Sequence, residues 1–323
     1  MDTIVFLLAL PGAWIVLQFV SSFSYACENF LDEWLLHRHR GEEEESVGSL
    51  LLISGFFGIV AATIFGLVAY FAPNPEVTIF VGTELTLRAL GAGLLEVLYL
   101  IPYLYAVNRV GAVKTAPLFQ VIPVISLILG LFVFGEIPPI VHIIGAGIII
   151  IGGLALNLSE VEGNWKVDSK TIALMLFSST IVVISSFIFK DAALEGNFVA
   201  AAFWGGIGMT TMSTVIFLVY APYRKQFLTF VKRADKPAWL YQLANETVDT
   251  IALTTSQVAL VLGPSVMAVY AMNAWQPVFI LLIGWVLAKR GSQAHAELLH
   301  NTKLKQIACA IALLAAGTVL IAL

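Results

Sequence analysis

The stretch 116–136, APLFQVIPVISLILGLFVFGE, decides the fold. Gln120 and Ser126 are its only polar members before the charge at Glu136. A bilayer core of about 30 Å is crossed by about 20 apolar residues in a helix, and this stretch has that length. Lipid offers no hydrogen bonds to a bare backbone, so a spanning segment of this kind reads as helix. Pro123 sits inside it. Proline lacks an N–H and frees a carbonyl one turn back, so the helix is expected to break or kink there, with Gln120 beside the break.

Similar runs recur on both sides. Ten spans are expected, at about 3–27, 47–71, 87–107, 113–134, 139–158, 171–190, 198–221, 239–260, 264–287 and 304–323. Segment 76–88 reads as an extension of the third helix or a loop. Of the 323 residues 59% are hydrophobic and 12% charged, with mean hydropathy +0.91. Soluble domains are about 45–50% apolar and about 25% charged, so a soluble globular class is excluded. Long unbroken runs also argue against a β-barrel, whose strands alternate. The fold class is an all-α integral membrane protein with ten transmembrane helices. No basic segment precedes the first apolar run, which reads as a retained helix and not a signal peptide.

Fifteen of the seventeen Lys and Arg fall in connections that follow odd-numbered helices; Arg88 and Lys190 are the exceptions. The positive-inside rule then places those connections in the cytoplasm and both termini outside. The run Glu42–Glu45 reads as a solvated loop. Cys27 and Cys309 make neither a disulfide framework nor a zinc spacing. Histidines 37, 39, 142, 295 and 300 show no metal spacing. No phosphate-binding glycine loop is present, and no prosthetic cofactor, metal or nucleic-acid partner is expected.

The chain also matches itself. Aligning 116–136 on MNAWQPVFILLIG pairs Pro123 with Pro277 and Gly130 with Gly284 at one offset of 154; an offset of 153 pairs Glu96 with Asp249. Two halves, 1–160 and 161–323, of five helices each would enter the membrane in opposite senses, a plan that puts a solute site near the midplane.

Ionisable groups inside a bilayer cost about 2.5–3.5 kcal/mol each on insertion scales and tend to face a cavity or a partner. Glu96, Glu246 and Asp249 qualify. Glu246 and Asp249 are three apart and share a helix face. They would bind a cationic solute or carry a coupling ion, proton or sodium; the plainer reading makes them wet or structural groups. Tyr99 and Tyr103 follow Glu96 at three and seven residues, on one stripe, and a carboxylate among aromatic faces suits an organic cation. Gln120, Trp275 and Gln276, beside the helix-breaking Pro123 and Pro277, are candidate cavity-lining residues. Glu136, next to Pro138 and Pro139, reads as a turn or cap. Asp32 with Glu33, and Lys190 with Asp191, read as helix ends that would pair as a gate.

The stretch 116–136, with Gly135-Glu136 followed by a glycine-rich helix, resembles the first half of the EamA family in the drug/metabolite transporter superfamily. ENFLDEWLLHRH (28–39), FWGGIGM (203–209) and NAWQPVFILLIG (273–284) are similar to one bacterial branch of it. The resemblance implies ten helices in two inverted halves and secondary transport of a small metabolite or drug-like solute, in the cytoplasmic membrane of a bacterium. The second half departs from the pattern: Ala288-Lys289 stands where Gly-Glu is expected, followed by a long basic loop. The competing readings are a lipid-modifying membrane enzyme, which would need a reacting constellation, and a receptor or assembly subunit without transport.

Overall fold

A computed structural model of the chain describes residues 12–38, 47–160, 167–289 and 304–323. The Glu42–Glu45 run, residues 3–11 of the first expected span, His39, His295, His300, Arg40, Lys166, Arg290 and Lys303 lie outside the described residues. All regular structure among the described residues is helical. The helices are α1 (Ala13–Arg38), α2 (Val47–Phe71), α3 (Thr83–Val110), α4 (Ile122–Leu129), α5 (Ile140–Glu160), α6 (Ser169–Glu195), α7 (Phe198–Val219), α8 (Ala221–Arg233), α9 (Lys236–Leu262), α10 (Val266–Ala271), α11 (Gln276–Lys289) and α12 (Leu304–Ala322). Six segments among the described residues are long and apolar enough to cross a membrane: α2, α3, Pro117–Phe134, α6, α7 and Val266–Val286. Ile140–Leu156 and Gln306–Ala322 are shorter apolar helices. Helices α1 and α9 have the length, at 26 and 27 residues, but carry carboxylates in their interiors.

Three boundaries differ from expectation. The first helix does not stop near residue 27; from Ala13 it runs on to Arg38. Residues 28–38 contain no Gly or Pro and several good helix formers, so polarity there does not end the helix. The sixth helix continues past Lys190 to Glu195. The stretch 222–237, expected as a basic connection, contains α8, which follows α7 after the single extended residue Tyr220.

By packing, the chain divides into two compact units, each drawing on both sequence halves. One comprises Met1–Asn29, Val113–Ser169 and Ile251–Leu323; the other comprises Phe30–Ala112 and Lys170–Thr250. They are called here the broken-helix unit and the carboxylate unit.

In the broken-helix unit, two segments repeat one local plan. A 3-10 turn, Ala116–Val121, leads into α4, whose second residue is Pro123. A 3-10 turn, Met272–Trp275, leads into α11, whose second residue is Pro277. Val121 and Trp275 close the two turns at the offset of 154. Proline at the start of a helix loses no bond the helix would have made, which explains why the α-helix restarts at that point. Glu136 Oε2 accepts a 2.8 Å bond from the Val266 N–H, satisfying one of the donors that the first turn of α10 leaves open. Helices α5 and α12 meet through Gly145 and Gly317; a Cβ on Gly317 would lie 2.6 Å from the Gly145 carbonyl oxygen.

In the carboxylate unit, α2, α3 and α7 approach through small residues. A Cβ on Gly58 would sit 2.6 Å from the Gly206 carbonyl oxygen, and one on Gly93 would collide with the Gly205 carbonyl. Without a hydrophobic drive between helices in lipid, such backbone proximity and the dispersion it allows hold helices together. The loop before α3 is strapped to α7: Asn197 Nδ2 donates to Thr78 O at 2.9 Å and Trp204 Nε1 to Ile79 O at 2.8 Å.

Gly93→Ala is expected to lower the unfolding midpoint in detergent, by roughly the 1–3 kcal/mol of overpacking. Gly91→Ala, two residues earlier on another face and in open space, should leave it unchanged or raise it, since alanine favours helix over glycine by about 1 kcal/mol. Equal midpoints for the two variants would contradict the backbone contact.

Candidate functional site

The carboxylate unit gathers four acids in its interior: Asp32 on α1, Glu96 on α3, and Glu246 and Asp249 on α9. Helix α9 explains how. Gln242, Asn245, Glu246 and Asp249 follow the spacing i, i+3, i+4, i+7 of one helical face. The first three are 1%, 2% and 0% exposed, whereas Leu240 and Leu243 are 58% and 47% exposed. Polar residues face inward and leucines outward, the reverse of a helix in water.

Each acid has its own partners. Glu246 Oε1 accepts from Ser54 Oγ of α2 at 2.8 Å and from Gln242 Nε2, one turn earlier, at 2.6 Å. Its Oε2 is buried and meets no donor among the described residues. Asp32 is buried; Oδ1 accepts from Asn245 Nδ2 at 3.0 Å and Oδ2 from the Tyr103 hydroxyl at 3.3 Å. Glu96 Oε1 lies 2.7 Å from Ser185 Oγ of α6, and that hydroxyl lies 3.1 Å from the Ala92 carbonyl. Glu96 and Asp249 are enclosed by the helices yet keep part of their surface open. Asp249 is within electrostatic reach of Asp32 and Glu96, and Glu246 of Asp249 and Asp32. Among the described residues no Lys or Arg is paired with any of the four.

All three acids singled out from the sequence therefore fall in one cluster. Tyr103 is also there, but its hydroxyl serves Asp32 and not Glu96. Tyr99 lies on the same helix, and its carbonyl accepts from Ser178 Oγ at 3.0 Å. Asn245, Gln242, Ser54 and Ser185 were not among the expected site residues, and Asp32 was expected only as part of a helix-end gate. The stripe on α9 was a readable signal for Gln242 and Asn245. Ser54 and Ser185 lie in apolar runs where nothing local sets them apart. Of the helix-end residues expected to pair as a gate, Asp32 is held as described, and Asp191 pairs with Arg88, which also binds Glu84 and, at 3.0 Å, Glu195.

The remaining expected residues belong to the broken-helix unit. Gln120 is buried beside Gly153. Trp275 Nε1 donates to Thr318 Oγ1 at 3.1 Å and its ring meets Phe19 edge-on at 5.1 Å between centroids. Gln276 is half-buried and opens α11; Pro123 and Pro277 are buried. A second polar group lies in this unit. Asn273 Oδ1 accepts from Gln18 Nε2 and from Ser22 Oγ, the latter at 3.2 Å, and the fully buried Gln18 Oε1 has no partner among the described residues.

The EamA-like transporter family matches residues 12–158, so the resemblance read from the sequence holds there. A crystal structure of a protein 16% identical to this chain superposes on it with a TM-score of 0.65, covering 96% of each chain; that likeness establishes the fold alone. No curated protein matches. The family match and the apolar helices make this a multi-pass membrane protein of transporter type.

Replacing Asn245 by Leu should destabilise the protein by about 1.5–3 kcal/mol, the range for a hydrogen bond to a charged group. In the Asp32→Asn background the same change should cost less, a coupling of at least about 0.5 kcal/mol. Detergent unfolding midpoints of the four proteins measure it, and strict additivity would show that the two side chains do not act together.

Proposed function

We propose that this EamA-type chain is a secondary transporter that moves a small solute by alternating access, and that Asp32, Glu96, Glu246 and Asp249 form its solute or coupling site. The observation that carries this reading is the cluster of four enclosed carboxylates without a paired Lys or Arg among the described residues. On insertion scales four bare charges would cost about 10–14 kcal/mol, as much as the whole stability of an ordinary domain. Protons or a bound cation must offset most of that. Glu246 Oε2, buried and without a donor, is a place for either.

Glu96 is built for exchange of a proton. Ser185 has one hydroxyl proton and two acceptors in reach. With Glu96 ionised, the hydroxyl donates to it. With Glu96 protonated, the carboxyl donates to Ser185 Oγ, and Ser185 turns its own proton to the Ala92 carbonyl. Both charge states leave every group satisfied, so neither is penalised by an orphaned donor or acceptor. A cationic solute competing with protons for these acids is the corresponding transport scheme.

The same proposal includes ten spans in two inverted halves, 1–160 and 161–323. It is supported by the paired 3-10 turns before Pro123 and Pro277 and by units that each draw on both halves. The distribution of Lys and Arg supports both termini outside, in the cytoplasmic membrane of a bacterium.

Thermal unfolding of purified protein against a panel of organic cations and neutral and anionic metabolites, beside Glu96→Gln, tests the site. A ligand at about 100 times its dissociation constant adds about 2.7 kcal/mol. Stabilisation of the wild type by cations, lost in a folded Glu96→Gln protein that also fails to transport in vesicles, is expected. Normal transport by that variant would sink the assignment.

A further inference from the structure

Helix α8 is clamped across one end of the carboxylate unit. Its inner stripe is Tyr223, Phe227 and Phe230, at i, i+4 and i+7. Tyr223 and Phe230 are buried. Phe227 stacks edge-on against Phe56 of α2 and Phe217 of α7, at 5.6 and 5.8 Å between centroids. The Tyr223 hydroxyl meets that of Tyr105 on α3 at 3.2 Å, and Gln226 Oε1 accepts from the Gly48 N–H at the start of α2, at 2.7 Å. Side chains and backbone of three apolar helices thus fix α8 in place.

Its outer face carries Lys225, Leu228, Val231 and Lys232, all exposed, with Arg233 and Lys236 exposed just beyond. No acid lies between Tyr220 and Ala234. Asp235, which follows, is engaged at the start of α9, accepting from the Ala238 N–H at 2.9 Å. Among the described residues none of Lys225, Lys232, Lys236 or Arg233 is paired with a carboxylate. Lys232 and Arg233 stand in the last turn, where the helix dipole favours cations in any setting. Lys225 is in the second turn, where the dipole gives it no support. The helix dipole therefore does not account for Lys225. Exposed leucine and valine between the lysines match a surface half in acyl chains and half in headgroups.

We propose that the outer face of α8 is a docking surface for phospholipids with anionic headgroups, with Lys225 as the central phosphate contact, Lys232, Arg233 and Lys236 flanking it, and Leu228 and Val231 seated among the chains. The test uses full-length protein in vesicles of phosphatidylcholine, alone or with phosphatidylglycerol, and reads the unfolding midpoint. Phosphatidylglycerol is expected to raise the midpoint of the wild type. The triple variant Lys225→Gln/Lys232→Gln/Lys236→Gln should lose at least half of that rise while matching the wild type in neutral vesicles. Salt supplies a measurement that needs no variant: going from about 0.1 M to about 1 M cuts the screening length from about 10 Å to about 3 Å, and the wild-type rise should collapse. A rise that survives both the substitutions and the salt, or no rise at all, overturns the proposal. So does an equal rise from inorganic phosphate added to neutral vesicles, which would mark a free-anion site.

Discussion

Enclosing like charges in a medium that cannot solvate them is the constraint on which this molecule turns. Glu246 shows it most plainly: one oxygen is held by Ser54 and Gln242 and the other by nothing among the described residues. Around it stand the carboxyl groups of Asp249 and Asp32, and among the described residues no basic side chain is paired there. Every neighbouring choice serves to keep these acids in place. Asn245 and Tyr103 hold Asp32, Ser185 holds Glu96, and α9 turns its leucines to the lipid so that its amides and acids face in. A scaffold that spends five helices on such a cluster gains nothing in stability from it, because apolar side chains of the same volume would pack at lower cost.

How much of this was legible beforehand depends on the physical scale of each signal. A bilayer imposes a run of about twenty residues, and such runs stand out in any window; α2, α3 and α7 were placed to within a few residues for that reason. The long first helix was not, because ENFLDEWLLHR looks like an exit from the membrane by hydropathy, although nothing in it breaks a helix. Helix α8 was hidden by its own composition. Its basic residues read as a connection, and its aromatic stripe at i, i+4 and i+7 is too short to register beside the spans. Of the site, Glu96, Glu246 and Asp249 announced themselves by being charged within apolar runs. Asp32 did not, since its burial depends on Asn245 and Tyr103 arriving from α9 and α3. Ser54 and Ser185 had no signature, because a serine in a membrane helix most often bonds its own backbone.

The prolines show local sequence and geometry in closest agreement. At both Pro123 and Pro277 the chain tightens into a 3-10 turn and restarts an α-helix one residue before the proline. Chance alignment of apolar sequences would match residues without matching the residue at which the helix changes type.

The glycine contacts of α2, α3 and α7 have a mechanical meaning. Gly58 faces the backbone of Gly206, and Gly93 that of Gly205, with no side chain between them to flex or change rotamer. Sliding or rolling one of these helices on another would drive carbonyl oxygen into main-chain carbon, so the three are stiff against shear and act as one strut. Compliance must then reside where such contacts are missing and hydrogen bonding is already imperfect, as in the 3-10 turns ahead of Pro123 and Pro277. Stiff and soft parts of the protein are in this way written into the placement of its smallest residues.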